Sequence, residues 1–121
     1  MATADFKHID VSMVNDVAVV EITSKDLRGP DLALELGAEL STVAGQEWAQ
    51  RLLLNFRHVR FLSSTGFAVL AKLMNGANAT GQQIKLCELD PDVRVGADII
   101  GLSKYVEIHD HEAAALKAFT P

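Results

Sequence analysis

The apolar positions of this chain fall into blocks whose period switches between two and about three and a half residues. His8 to Val14 is a weak strand pattern, and Asn15-Asp16 follows it as a turn pair. Val17–Ile22 reads VAVVEI. Its β-branched residues suit a pleated, half-buried surface. The two runs predict an antiparallel hairpin. A polar connection, SKDLRG, leads to Pro30. Proline suits a first helical turn, because its missing N–H would have no partner there. Leu32, Leu36, Leu40 and Val43 follow at helical spacing, with Asp31 and Glu35 near the positive helix end. Gly45 marks the stop.

Residues 52 to 67, LLLNFRHVRFLSSTGF, form the centre of the pattern. Leu52, Leu53 and Leu54 are an unbroken apolar run, which predicts a strand buried on both faces over Leu52–Asn55. A short polar turn, then Phe61 and Leu62, precede Ser63, Ser64, Thr65 and Gly66. A helix is predicted from about Ser64 to Ala79. Phe67, Leu70, Ala71, Met74 and Ala77 share one face of it, and Lys72, Asn75 and Asn78 the other. Gly81 ends it. Ile84–Leu89 is a strand, with Ile84, Leu86 and Glu88 on one side and Lys85, Cys87 and Leu89 on the other. Asp90-Pro91 opens a third helix that ends near Gly101, with Asp90 as its cap. Tyr105–Ile108 is a short last strand. Asp110 caps a final helix whose Ala114, Ala115, Ala118 and Phe119 line one face. The order ββαβαβαβα predicts the α/β class: a mixed, mostly parallel sheet of about five strands with about four helices packed on it.

Composition narrows the function. A length of 121 residues fits one domain over 1–121, and an apolar share of 49% supports a core without disulfides. Cys87 is the only cysteine, in an apolar stretch, so it is expected to be a small core residue in a reducing cytoplasm. The opening MATADFKHID lacks a basic segment followed by an apolar core, so no signal peptide is expected. No apolar run approaches the ~18 residues of a membrane helix, so no membrane insertion is expected. Net charge is −5, and the eleven Lys and Arg are scattered without interleaved aromatics. That pattern speaks against nucleic acid. There is no G-x-S-x-G elbow, P-loop or G-x-G-x-x-G. Asn55 stands where a receiver domain would carry its phosphoacceptor Asp. The expectation is a protein with no catalytic residues and no cofactor. His109 and His111 flank Asp110 beside Glu112, but a solvated strand–helix junction explains them and no further ligand lies nearby in sequence. No metal is expected. Trp48, just before a strand, reads as a partly buried anchor.

The hydroxyls are the candidate chemistry. Unpaired N–H groups and the helix dipole favour negative charge at the start of a helix. A serine cap there is worth roughly 1 kcal/mol. A phosphate would bring about −1.5 to −2 charges. The helix end would tolerate it, while a partner docked over the turn would meet desolvation and repulsion. Ser64 is therefore either an unmodified cap or a switched hydroxyl. Ser63 and Thr65 read first as turn and capping groups and second as acceptors. Gly66 serves close packing or a special backbone angle.

The run LLLNFRHVRFLSSTGFAVLAKL resembles the STAS domain, shared by bacterial anti-sigma factor antagonists and sulfate-transporter tails. The likeness continues through GQQIKLCELDPDVRVGADIIGLSKYVEIHDHEAAALKAF. It is clearest from Arg51 to Phe119; before that, mainly the order of elements agrees. The resemblance implies a non-enzymatic regulator, an anti-sigma factor antagonist. Its implied partners are an anti-sigma factor that is also a serine kinase, and a phosphatase that resets the cycle. The implied acceptor is Ser64, with Thr65 as the second hydroxyl and Gly66 as the family glycine. Phe67 replaces the usual Leu. Ser63, Ser64, Thr65, Gly66 and Phe67 become the implied docking turn. Two departures stand out. Ser63 occupies the place of the family's Asp, and SKDLRGPD replaces a short glycine-acidic connection. The second implies different partner contacts there, and the Ser63 departure motivates an alternative: a STAS scaffold subunit or transport accessory domain without a phosphoswitch, with homo-oligomer formation open. A small ligand near the same helix start is a third reading.

Overall fold

The computed structural model describes residues 6–119. The first five positions of the MATADFKHID stretch, and residues 120 and 121 of the single predicted domain, lie outside the described residues. The elements are, in order, β1 (Ile9–Val14), β2 (Val17–Ile22), β3 (Asp26–Leu27), α1 (Pro30–Ala44), β4 (Arg51–Asn55), β5 (Phe61–Leu62), α2 (Ser64–Thr80), β6 (Gln83–Cys87), α3 (Pro91–Ile99), β7 (Glu107–His109) and α4 (Glu112–Ala118). Asn15 and Asp16 both adopt left-handed φ, 49° and 67°. Asn and Asp tolerate this region, and a two-residue hairpin turn requires it. β1 and β2 therefore pair antiparallel, from Val14 opposite Val17 to Ile9 opposite Ile22. The main sheet has five strands in the order β1-β2-β4-β6-β7, and every pairing after the hairpin is parallel. The α/β fold with a mixed, mostly parallel five-stranded sheet and four helices matches the prediction.

β4 lies in the middle, and Leu52, Leu53 and Leu54 are each 0% exposed. The alternation of strand side chains sends Leu52 and Leu54 to one face and Leu53 to the other. The first face is thick. There Leu36, Leu40 and Val43 of α1, Leu70, Met74 and Ala77 of α2, and Val93 and Ala97 of α3 join one core with Val20, Leu52, Leu54 and Leu86. The second face is thin. Among the described residues, Val17, Val19, Leu53 and Cys87 cluster with Ala115 and Phe119, with Val14 and Leu116 at the margin. Trp48, partly buried, packs against the large core just ahead of β4.

Several boundaries differ from the sequence pattern for physical reasons. The polar connection 23–29 contains β3, which pairs parallel with β5 in a separate ladder, Asp26 opposite Phe61 and Leu27 opposite Leu62. The fully buried Leu27 anchors it. Leu32 is 39% exposed, and the buried Ala33 takes its place on the core face. α1 turns Gly37 toward α2, where a Cβ would lie 2.6 Å from Val69 Cγ1, so the helices cross too closely for a side chain. β6 stops at Cys87, because Glu88 turns into left-handed φ of 61°. Glu88 and Leu89 thus leave the predicted strand. β7 begins two residues later than expected, at Glu107. Asp110 does not cap α4. The N-cap position belongs to His111, which gives no side-chain bond, and Glu88 Oε2 accepts the Glu112 N–H at 2.9 Å instead. Ala114 faces solvent, while Ala115 and Phe119 meet the sheet.

Candidate functional site

The β5–α2 turn is built from both sides. Ser63 is the N-cap of α2, in extended conformation (φ −74°, ψ 166°). Its Oγ accepts the Gly66 N–H at 3.2 Å. Its own N–H donates to Leu27 O at 3.0 Å, so β3 holds the cap from outside. Ser63 thus performs a capping role for which Ser and Asp are about equally suited. Ser64 occupies the first helical position and is exposed. It is not the cap. Thr65 is half-buried. Gly66 is buried, and a Cβ on it would run into the Leu62 side chain. Its φ lies outside the left-handed region, so close packing is the reason for glycine here. Phe67 is 8% exposed. Its ring lies against Gly96 of α3, where a Cβ would come within 2.8 Å of ring carbons. The larger aromatic fits because the facing residue has no side chain. Of the five residues expected from sequence to form a docking turn, Ser64 presents the most surface, Ser63 and Thr65 present part, and Gly66 and Phe67 shape the turn from beneath.

The positive end of α2 is the feature of the turn that favours an anion, since the nearby arginines are paired with carboxylates. No acidic residue occupies the first turn of α2. The β3–β5 ladder places Arg28 over the exposed Phe61 ring, 4.4 Å from its centroid. Arg28 Nη2 also pairs with Asp26 Oδ2 at 2.7 Å. The side-chain hydrogen bond from Arg28 holds the Asp26 carboxyl below its usual range. Arg60 Nη1 meets Asp90 Oδ1 at 3.3 Å, and Asp90 caps α3 through Asp92 N. Arg28, Asp26 and Phe61 were given no role by the sequence pattern. The available signal was Leu27, a lone apolar residue in a polar run that had to be buried somewhere.

The remaining candidates lie elsewhere. The Cys87 thiol is pushed up to about 12, by burial first and then by the Glu112 and Glu88 carboxylates, which leaves it protonated and inert. His109 Nε2 bonds Glu107 Oε1 at 3.0 Å, whereas His111 Nδ1 lies 3.9 Å from Glu88 Oε1. The two imidazoles engage different carboxylates. Among the described residues, no group of three His, Cys, Asp or Glu side chains is placed to hold a metal ion. No helix among them is long and apolar enough to cross a membrane. Asn55 is fully buried and structural: its Nδ2 donates to Glu112 Oε1 at 2.9 Å, and its Oδ1 accepts Arg57 N–H at 2.8 Å.

The family model described as the STAS domain matches residues 9–115. The chain belongs to the STAS domain family. The anti-sigma F factor antagonist of Paenibacillus polymyxa is 28% identical to it over 67 residues, which cover 55% of this chain and 57% of that relative. The matched stretch therefore spans little more than half of the relative. Two solved structures share the fold over nearly the whole STAS domain. The Bacillus cell fate determinant SpoIIAA in its phosphorylated form is 20% identical with a TM-score of 0.67, covering 90% of this chain and 96% of that one. An anti-sigma-factor antagonist (STAS) domain protein from Planctomyces limnophilus is 18% identical with a TM-score of 0.74, covering 91% and 95%.

Proposed function

We propose that this STAS domain is a bacterial anti-sigma factor antagonist, a non-enzymatic regulator that binds an anti-sigma factor through the β5–α2 turn and is released by phosphorylation of Ser64. One observation carries the reading: Ser64 is exposed at the first helical position while Ser63 holds the cap. A phosphate on Ser64 removes no capping bond. It gains from the free N–H groups and positive end of the helix, roughly 0.3–1 kcal/mol for a charge at the surface. The domain stays folded, and only the charge on its docking surface changes. A partner seated there would have to desolvate a dianion, which ordinary surface contacts do not offset. The partner is an anti-sigma factor that acts as a serine kinase, a phosphatase resets the cycle, and both meet the domain in the cytoplasm. Ser63 in place of the family acid takes one carboxylate away from the incoming phosphate, so the kinase itself must supply the base.

Calorimetric titration of the host's anti-sigma factor with the unmodified chain and with Ser64→Asp tests this. The unmodified chain should bind, and the variant should bind at least about tenfold more weakly, a difference of about 1.4 kcal/mol, with unchanged circular dichroism. Equal binding by both would remove the switch. No binding by either, together with a large stable assembly in light scattering, would favour the scaffold reading.

A further inference from the structure

A second serine sits in a different chemical setting. Ser24 is half-buried in the connection after β2. The neighbouring Thr23 N–H donates to His8 O at 2.8 Å, which sets Ser24 beside the His8 ring. His8 Nδ1 is 2.5 Å from Ser24 Oγ, and His8 Nε2 is 3.0 Å from Glu35 Oε1 on α1. The histidine is 6% exposed. Glu39, one turn further along α1, accepts the backbone N–H groups of Lys7 and His8 at 2.8 and 2.9 Å. The ring and its backbone are thus fixed together.

The partners assign the roles of the ring nitrogens in the unprotonated imidazole. An ionised carboxylate can only accept, so Nε2 carries the proton toward Glu35. Nδ1 is left as the acceptor, and the Ser24 hydroxyl donates to it. The hydrogen bond from His8 holds the Glu35 carboxyl below its usual range, which keeps it ionised at neutral pH. A hydroxyl, an imidazole and a carboxylate stand in the order nucleophile, base, orienting acid.

We propose that Ser24 is a self-activated nucleophile, with His8 as its general base and Glu35 as the positioning residue, and that it is a site of covalent acylation by activated esters. Ser24 Oγ attacks the ester carbonyl carbon while its proton passes to His8 Nδ1. The bond from that carbon to the leaving oxygen breaks, and the leaving group departs with the electron pair. Glu35 stabilises the imidazolium until the proton passes to the leaving group or to water. Charge selects an acyl group over a phosphoryl group. A phosphate dianion would meet the Glu35 and Glu39 carboxylates bonded to this ring and its backbone, whereas an ester is neutral.

Incubation of the whole chain with p-nitrophenyl acetate, followed by peptide mapping in a mass spectrometer, compares the two serines within one molecule. Ser24 should acetylate at least about a hundredfold faster than Ser64, the lower end of general-base assistance. Glu35→Asp, which keeps a carboxylate on the ring, should retain most of that rate. Glu35→Gln should slow Ser24 and leave Ser64 unchanged. Equal rates at the two serines overturn the proposal, and so does a Ser24 rate unchanged by Glu35→Gln. The comparison within the unaltered chain holds whether or not a His8 variant folds.

Discussion

Ser64 and Ser24 flank the same small ladder, one just after β5 and the other just before β3, yet their surroundings suit opposite chemistries. Ser64 is exposed at the start of a seventeen-residue helix with no acid in its first turn. It has a positive dipole to receive an anion, and among the described residues no side-chain base bonds its hydroxyl. Ser24 is half-buried, with a histidine at 2.5 Å and that histidine's other nitrogen on a carboxylate. It has a base but stands among negative charge. The difference teaches that a serine's identity says little until its neighbours are known. A hydroxyl at a helix start waits for an enzyme that brings both base and phosphate. A hydroxyl on an imidazole needs only an electrophile.

The contrast can be broken most forcefully at His8. His8→Ala removes a buried ring and its two part-buried side-chain bonds, and leaves Ser24 and Glu35 without their shared partner. Urea denaturation should show a loss of about 2–3 kcal/mol; a loss below about 0.5 kcal/mol would mean that the Ser24 node does not hold β1 to α1. Next comes Ser63→Ala, which strips the N-cap from α2 and should lower stability by about 1 kcal/mol. Ser63→Asp should stay within about 0.5 kcal/mol of the unmodified chain, because Asp caps as well as Ser. Equal destabilisation by both would contradict the capping geometry.

Acid titration sharpens the comparison more gently. The folded Glu35 carboxyl lies below its usual value of 4.5, so the unfolded chain takes up this proton first. The stabilisation is present above that value and is lost as pH falls through the lower folded one. Stability curves measured downward from pH 6 should therefore fall less steeply in Glu35→Gln than in the unmodified chain, and parallel curves would deny the His8–Glu35 link. The smallest effect belongs to Ser64→Ala. An exposed first-turn hydroxyl that caps nothing should change stability by no more than about 0.5 kcal/mol, and a larger loss would assign Ser64 a structural bond.

What was legible in the sequence was local. β2 follows its β-branched run residue for residue, and the Asn15-Asp16 turn and the buried Leu52–Leu54 run follow from composition and period alone. The start of α2 was also clear, but the division of labour between adjacent serines was not. A one-residue offset decides that Ser63 caps and Ser64 faces solvent, and no periodicity resolves it. The rest depends on distant partners. β3 and β5 are two residues each and exist only because they pair with each other. The cap of α4 comes from Glu88, twenty-four positions away. The Ser24 node joins residues from the chain before β1, the loop after β2 and the middle of α1. Each of His8, Ser24 and Glu35 looks ordinary in sequence, and only packing α1 on the hairpin brings them together.

Phosphopeptide mapping of the protein isolated from its host, grown with and without stress, tests the central claim most directly. The account predicts phosphate on Ser64 in at least one condition and none on Ser24. Phosphate on Ser24, or an unmodified Ser64 in every condition, would contradict it.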